Sequence, residues 1–312
     1  MKAHALPAGI RPDVLVPPGA LQLNPLPSQV RMIDEVLGRA RDGGFTVWYG
    51  RPGGGKTWAA WLVCRIAAER KGSFAAYLDA PRPSGMVWDE RKTLRAILGD
   101  IGAPLTDRAV RGQSSGHLAR HLAIRLLAAN IRLLVIDEAG YLGARGLEAL
   151  GMLSDHMASK AEPFHVLLVG MTDLPGLLRT NPRIDKRVLV HEHIHEVSTT
   201  SLRIAVLQRH DWIEGACDDG VSVDELIECA HQLTQGCMRD AIALFARAQE
   251  ACCTKKIRLN PAVLRYVFRA SEEERRDLFK EEAKQAAARS ALPELWTPEL
   301  RRRFANAGVI SA

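Results

Sequence analysis

The stretch FTVWYGRPGGGKTWAAWLV, residues 45–63, decides how the rest of the chain is read. Residues 45–49 have the β-branched and aromatic character of a strand, and the alanine-rich run after Lys56 has the character of a helix. Between them, GRPGGGKT sets Gly50, Gly55, Lys56 and Thr57 in the spacing G-x-x-x-x-G-K-[ST]. Glycines let successive backbone N–H groups turn inward without Cβ clashes. A helix that starts at such a loop turns its positive end the same way. Together these features suit a chain of phosphates. Gly50, Pro52, Gly53, Gly54, Gly55, Lys56, Thr57 and Trp58 are therefore candidate nucleotide-binding residues. Lys56 is expected to reach the β- and γ-phosphates, and Thr57 to ligate Mg2+. A glycine-rich turn before an ordinary helix is the competing reading, and the flanking strand and helix weigh against it.

A second motif supplies the expected partner. In LLVIDEAGYL, residues 133–142, an apolar strand delivers Asp137 and Glu138 at its carboxyl end. Ligands of open parallel sheets bind at that edge. Asp137 is expected to hold the metal, and Glu138 to polarise an attacking water. An acidic turn closing a core strand is the alternative, and the first motif makes it the weaker one. ATP with Mg2+ is the implied ligand pair.

The 312 residues are 47% hydrophobic, enough for a sizeable core. The formal net charge of +6, with a pI near 9.1, is a mild basic excess compatible with an acidic partner. The six cysteines include no C-x-x-C pair and no zinc spacing, so buried free thiols in a reducing cytoplasm are expected. The N-terminus lacks the apolar core of a secretory signal, and no apolar run approaches the roughly 20 residues that span a bilayer. The expectation is a soluble, cytoplasmic protein that makes no membrane contact.

Along the chain, residues 1–27 carry six prolines and read as an extended arm. A helix follows, capped by Ser28, with Val30, Ile33, Val36 and Leu37 on one face and Gly43–Gly44 at its end. Strands are expected at 45–49, 73–80, 131–139, 164–172 and 187–197. Helices fall between them, including two near 87–101 and 114–129. This alternation implies an α/β fold with a parallel sheet covered on both faces. After residue 198 the strands stop. Helical spacing at 200–212, 222–235, 238–253 and 261–270 indicates a small all-helical domain. A separate charged helix at 271–291 and a short tail follow. The expected divisions are an arm at 1–27, a nucleotide-binding core at 28–197, a helical lid at 198–270 and a charged tail at 271–312.

Four more residues bear on hydrolysis. Thr172 ends the strand VLLVGMT and can sense a γ-phosphate through its hydroxyl; a strand-end cap is the alternative. Arg183 and Arg187, in NPRIDKR, stand where an arginine can act in trans on a neighbour's nucleotide, and the sequence does not choose between them. Arg239, in GCMRDAI, opens a lid helix and is expected to reach the γ-phosphate.

Residues 82–130 are rich in arginine. Arg91, Lys92, Arg95, Arg108, Arg111, Arg120 and Arg125 are candidate DNA contacts. In the helix SSGHLARHLAIRLLAAN, Leu118, Leu122, Ile124 and Leu126 are expected to face the core, leaving His117, Arg120, His121 and Arg125 on a polar side. Cationic side chains neutralise phosphates without reading bases, and aromatics that would stack on single strands are scarce here. Non-specific duplex binding is the expectation, against the plainer reading of a solvated helix face.

The order GRPGGGKT, LLVIDEA, VGMT, PRIDKR and GCMR resembles that of the AAA+ ATPases. Within them, HLARHLAIRLLAANIRLLVIDEAGYLGARGLEALGML is similar to transposition protein B of bacteriophage Mu and the ATPase regulators of related transposons. The likeness covers about residues 30–270. It implies an AAA+ P-loop core with a helical lid. It also implies an ATPase that forms a ring or helical filament on double-stranded DNA, delivers that DNA to a transposase and stimulates strand transfer. Hydrolysis would then drive disassembly. Two departures stand out: a proline-rich arm replaces the phage protein's N-terminal DNA-binding domain, and Met171 and Thr172 lie where relatives often have Asn. A replicative helicase loader of the AAA+ class, and an ATP-binding scaffold with little turnover, are the alternatives.

Overall fold

Three strands are buried along nearly their whole length, which happens only when a sheet is covered on both faces. They are β1 (Gly44–Tyr49), β3 (Ile131–Asp137) and β4 (His165–Gly170). With β2 (Phe74–Asp79) and β5 (Val188–His193) they form one five-stranded sheet in the order β2-β3-β4-β1-β5. Every pairing is parallel. All carboxyl ends therefore lie along one edge, and the loops after β1 and β3 meet there. The computed structural model describes residues 11–17, 20, 24–70, 74–80, 89–102, 113–160 and 162–289.

The helices of the sheet domain are α1 (Pro12–Leu15), α2 (Pro27–Arg39), α3 (Lys56–Glu69), α4 (Glu90–Asp100), α5 (Ser115–Ala128), α6 (Gly143–Ala158), α7 (Leu174–Arg179), α8 (Pro182–Asp185) and α9 (Thr199–Leu207). Side chains at the ends of α4 and α5 cap them as their sequences suggest: Asp89 Oδ1 accepts from Lys92 N–H at 2.8 Å, and Ser114 Oγ accepts from His117 N–H at 3.3 Å. Helices α4, α5 and α6 pack on one another and join the strands in a single core.

The chain divides into two compact units, one running to Gln208 and including Gly236–Arg239, the other comprising Arg209–Gln235 and Asp240 onward. Helix α9, expected in the lid, belongs to the first unit. The second unit is helical: α10 (Ile213–Ala216), α11 (Val223–Thr234), all of α12 (Met238–Lys255) after Arg239, and α13 (Pro261–Arg289). Ser222 and Glu225 form a reciprocal capping box at the start of α11.

Several expectations are corrected. Part of the proline-rich arm is packed: Val14 and Leu15 of α1 lie in the main core, because Pro12 starts a turn that buries them. Helix α2 begins at Pro27, and Gln29 Oε1, not Ser28, accepts the Leu26 N–H at 3.1 Å. Its buried face is Gln29, Met32, Ile33 and Val36, a true i, i+3, i+4, i+7 stripe, so Val30 is exposed. In α5 the leucines at i, i+4, i+8 are buried, and Ile124, off that stripe, is 48% exposed. The charged helix is not separate: α13 runs unbroken from Pro261 to Arg289. Not every thiol is buried; Cys64, Cys229 and Cys252 are, and Cys253 is exposed.

Candidate nucleotide site

The loop between β1 and α3 is shaped by its glycines. Gly53 and Gly55 adopt φ of 81° and 86°, left-handed values that other residues resist. A Cβ on Gly50 would overlap the carbonyl oxygen of Ile194, just past β5, and one on Gly53 would overlap the Cys237 sulfur. The loop is thus held against the Ile194 backbone at Gly50 and the Cys237 side chain at Gly53, with no room for a Cβ at either.

Lys56 is the first residue of α3 and is only 7% exposed. Its ammonium donates to the carbonyls of Gly50 at 3.0 Å and Arg51 at 2.7 Å. Burial lowers its pKa, opposed by the charges of Glu138 and Asp137. Thr57, one residue on, donates from Oγ1 to Asp137 Oδ2 at 2.6 Å. This contact joins the two motifs across the sheet edge. A charge-assisted hydrogen bond of this kind contributes about 1.5–3 kcal/mol.

Asp137 is 2% exposed. Burial raises its pKa, while hydrogen bonds from Thr57, the Glu138 N–H at 2.8 Å and Tyr77 pull the other way. Glu138 follows in a left-handed conformation, φ 52°, half-buried beside it. Such a backbone is uncommon for a non-glycine residue and turns the chain abruptly at the strand end.

Sequence reasoning missed two members of the cluster. The Tyr77 hydroxyl lies 2.8 Å from Asp79 Oδ1 and 3.0 Å from Asp137 Oδ2, and its single proton serves one carboxylate at a time. Burial and the two carboxylates raise the Tyr77 pKa, so the phenol stays protonated. Register makes the meeting: Asp79 pairs with Asp137 across β2 and β3. An acid ending the apolar run FAAYLD was the available signal.

The other candidates are distributed as follows. Gly54 and Gly55 are buried in the loop, Pro52 is exposed, and Trp58 is buried in α3. Arg239 lies beside the loop, its Cβ 3.5 Å from the position a Gly53 Cβ would take, and its charge acts on Lys56. Thr172 is exposed two residues beyond β4. Arg183 and Arg187 instead pair with Asp155 on α6, and Arg183 also with Glu148. Arg95, Arg120 and Arg125 are exposed, and Arg91 and Lys92 half-buried; Arg108 and Arg111 lie outside the described residues. No helix among the described residues is long and apolar enough to cross a membrane.

The parallel order β2-β3-β4-β1-β5, with a glycine loop after β1 and an acid pair at the carboxyl end of β3, decides the fold. The chain has the AAA+ P-loop fold. The AAA domain family matches it over residues 39–178. The AAA+ likeness extends over most of the chain in solved structures. The Aeropyrum pernix ORC2 protein, in its ADPNP–ADP complexes, is 18% identical, with a TM-score of 0.59 over 98% of this chain and 82% of that one. The Aeropyrum pernix ORC1 protein in complex with DNA is 23% identical, with a TM-score of 0.58 over 88% and 72%. Domain III of the Thermotoga maritima replication initiation protein DnaA is 12% identical, with a TM-score of 0.53 over 84% and 98%. No curated protein sequence matches the chain. At these identities the AAA+ likeness is one of fold.

The AAA+ site has the donors that a magnesium–triphosphate requires. The glycine loop turns through left-handed Gly53 and Gly55, Lys56 supplies a buried cation, and Thr57 and Asp137 supply a hydroxyl and a carboxylate oxygen 2.6 Å apart.

Proposed function

We propose that the protein is an ATP-dependent, double-stranded-DNA-binding AAA+ ATPase of DNA transposition. In this reading it oligomerises on target DNA, presents that DNA to a transposase, and leaves when ATP is hydrolysed. The hydrogen bond between Thr57 and Asp137 carries the nucleotide part, because it brings the loop and the acidic motif to one point.

In the proposed mechanism, the loop N–H groups and Lys56 bind the phosphates. Thr57 and Asp137 would hold Mg2+, which when bound would supply charge neutralisation on the phosphates. Glu138 accepts the proton of the attacking water. Tyr77 holds the Asp137 carboxylate in place through their hydrogen bond. Arg239, beside the loop, senses the γ-phosphate, Thr172 contributes its hydroxyl from the loop two residues past β4, and Arg183 or Arg187 acts on a neighbour's nucleotide.

The DNA part rests on the cationic side chains of α4 and α5, with Arg95, Arg120 and Arg125 exposed. It rests also on the likeness to the Mu transposition protein and on the DNA-bound ORC1 structure of the same fold. The test is ATP hydrolysis with and without duplex DNA, combined with electron microscopy of the protein on that DNA. The proposal expects stimulation by duplex and ATP-dependent rings or filaments; hydrolysis indifferent to duplex speaks against it.

The fold likeness to the replication initiation protein DnaA favours a second reading, a loader of the replicative helicase. Competition between single- and double-stranded DNA separates the two: a loader prefers single strands, and the transposition protein prefers duplex.

A further inference from the structure

Arg183 and Arg187 do not lie against their own chain's Lys56; the charges that act most on that lysine are Glu138, Asp137 and Arg239. Both arginines are gathered on α6. Arg183 bridges two carboxylates of that helix, Nη1 to Glu148 and Nη2 to Asp155. Arg187 Nη2 lies 2.5 Å from Asp155 Oδ1, and its Nη1 donates to the Gly151 carbonyl at 3.5 Å. Glu148 and Asp155 are seven residues apart and so share a helix face. Gly151 sits between them, and a Cβ there would press on Arg183 Cδ at 3.3 Å and Ile184 Cδ1 at 3.1 Å. Asn181 completes the set: it donates to Glu148 Oε2 at 3.2 Å, and its own Oδ1 caps α8.

This is more organised than an ordinary surface ion pair. Two long cationic side chains are fixed by two carboxylates, across a helix flattened by glycine to admit them. Yet the side chains of Arg183 and Arg187 remain 40% and 36% exposed. A guanidinium has five N–H donors, and the carboxylates occupy only part of each set. What remains is a set of part-exposed N–H donors on two held guanidiniums whose charge Glu148 and Asp155 balance, a geometry that can still donate to phosphate oxygens.

We propose that Glu148 and Asp155 are positioning residues that preset Arg183 and Arg187 to receive the triphosphate bound by a second copy of this chain. The inference rests on the oligomeric ATPase reading above. It adds that catalysis depends on α6 carboxylates that never touch the nucleotide. Preorganisation matters because an arginine acting in trans accelerates phosphoryl transfer by about 10³–10⁵-fold only when held in place.

The test uses Asp155→Asn and Glu148→Gln in the full chain, read by nucleotide affinity, kcat and complementation. Each variant is expected to bind ATP as the wild type does and to lose roughly tenfold or more in kcat. Mixing Asp155→Asn with Lys56→Ala should restore activity: one partner keeps its nucleotide site and the other keeps its arginines. A merely structural role would give no such rescue. Wild-type hydrolysis that rises with protein concentration, alongside variants of unchanged kcat, overturns the positioning role alone. Variants that lose activity without rescue in the mixture also overturn it. Wild-type hydrolysis independent of protein concentration overturns the oligomeric reading itself.

Discussion

The Thr57 hydroxyl donates a 2.6 Å hydrogen bond to Oδ2 of Asp137, the buried residue that ends β3. The same burial that readies Asp137 for a cation makes it costly without one. Its pKa is raised above the ordinary 3.8, so the folded state holds the proton more tightly than the unfolded chain. Stability from this group is full below pH 3.8 and is lost as pH rises through the folded value. At neutral pH the carboxylate is a net liability to the nucleotide-free protein. Asp137→Asn should therefore raise the melting temperature of that form by a few degrees, roughly 1 kcal/mol, while abolishing magnesium-dependent nucleotide affinity. Thermal melts with and without MgATP check both; a destabilised variant that still gains stability from MgATP would refute the assignment.

His165 predicts the opposite slope. Its ring is fully buried, with Nδ1 2.9 Å from the Gly43 carbonyl and Nε2 2.9 Å from Thr46 Oγ1. A carbonyl can only accept, so Nδ1 carries the proton and Nε2 accepts from threonine. Burial lowers the pKa below 6.5. Its stabilisation is present above pH 6.5 and lost as pH falls through the folded value. Urea midpoints should decline on acidification below that point, and His165→Gln should flatten this part of the profile. An identical decline in the variant would rule His165 out as its source.

Gly50 has no alternative. A methyl group there would overlap the Ile194 carbonyl oxygen, so Gly50→Ala must push the loop away from the end of β5. A cost of roughly 2 kcal/mol in stability is expected, together with loss of nucleotide binding. Denaturant titration and fluorescent-nucleotide binding measure the two; a variant unaffected in both would mean that the loop has slack.

The exposed arginines of α5 carry the DNA prediction. Arg120→Ala and Arg125→Ala should weaken binding about equally for all duplex sequences. Each should also lower the slope of log affinity against log salt by about 0.9 if it contacts one phosphate. An unchanged slope removes that helix from the interface.

How far the sequence could be read follows the range of each interaction. Lys56, Thr57, Asp137 and Glu138 were legible because each motif is a local spacing with a mandatory strand beside it. The parallel sheet was legible from its continuous apolar strands. Asp79 and Tyr77 were not, since only the register of β2 on β3 brings them to Asp137. The pairing of Arg183 with Glu148 and Asp155 spans 35 and 28 residues and leaves no local signature. Ile124 and Val30 are exposed for a different reason: residue type alone does not set which way a side chain faces, the helical stripe is set by position, and Gln29 is buried where Val30 is not.

The central claim is that Lys56 and Asp137 serve one magnesium–triphosphate. Isothermal calorimetry of MgATP against wild-type protein and Lys56→Ala tests it most directly. The account predicts saturable uptake by the wild type and none by the variant at the same concentrations. Absence of uptake by the wild type, or equal uptake by both, would contradict it.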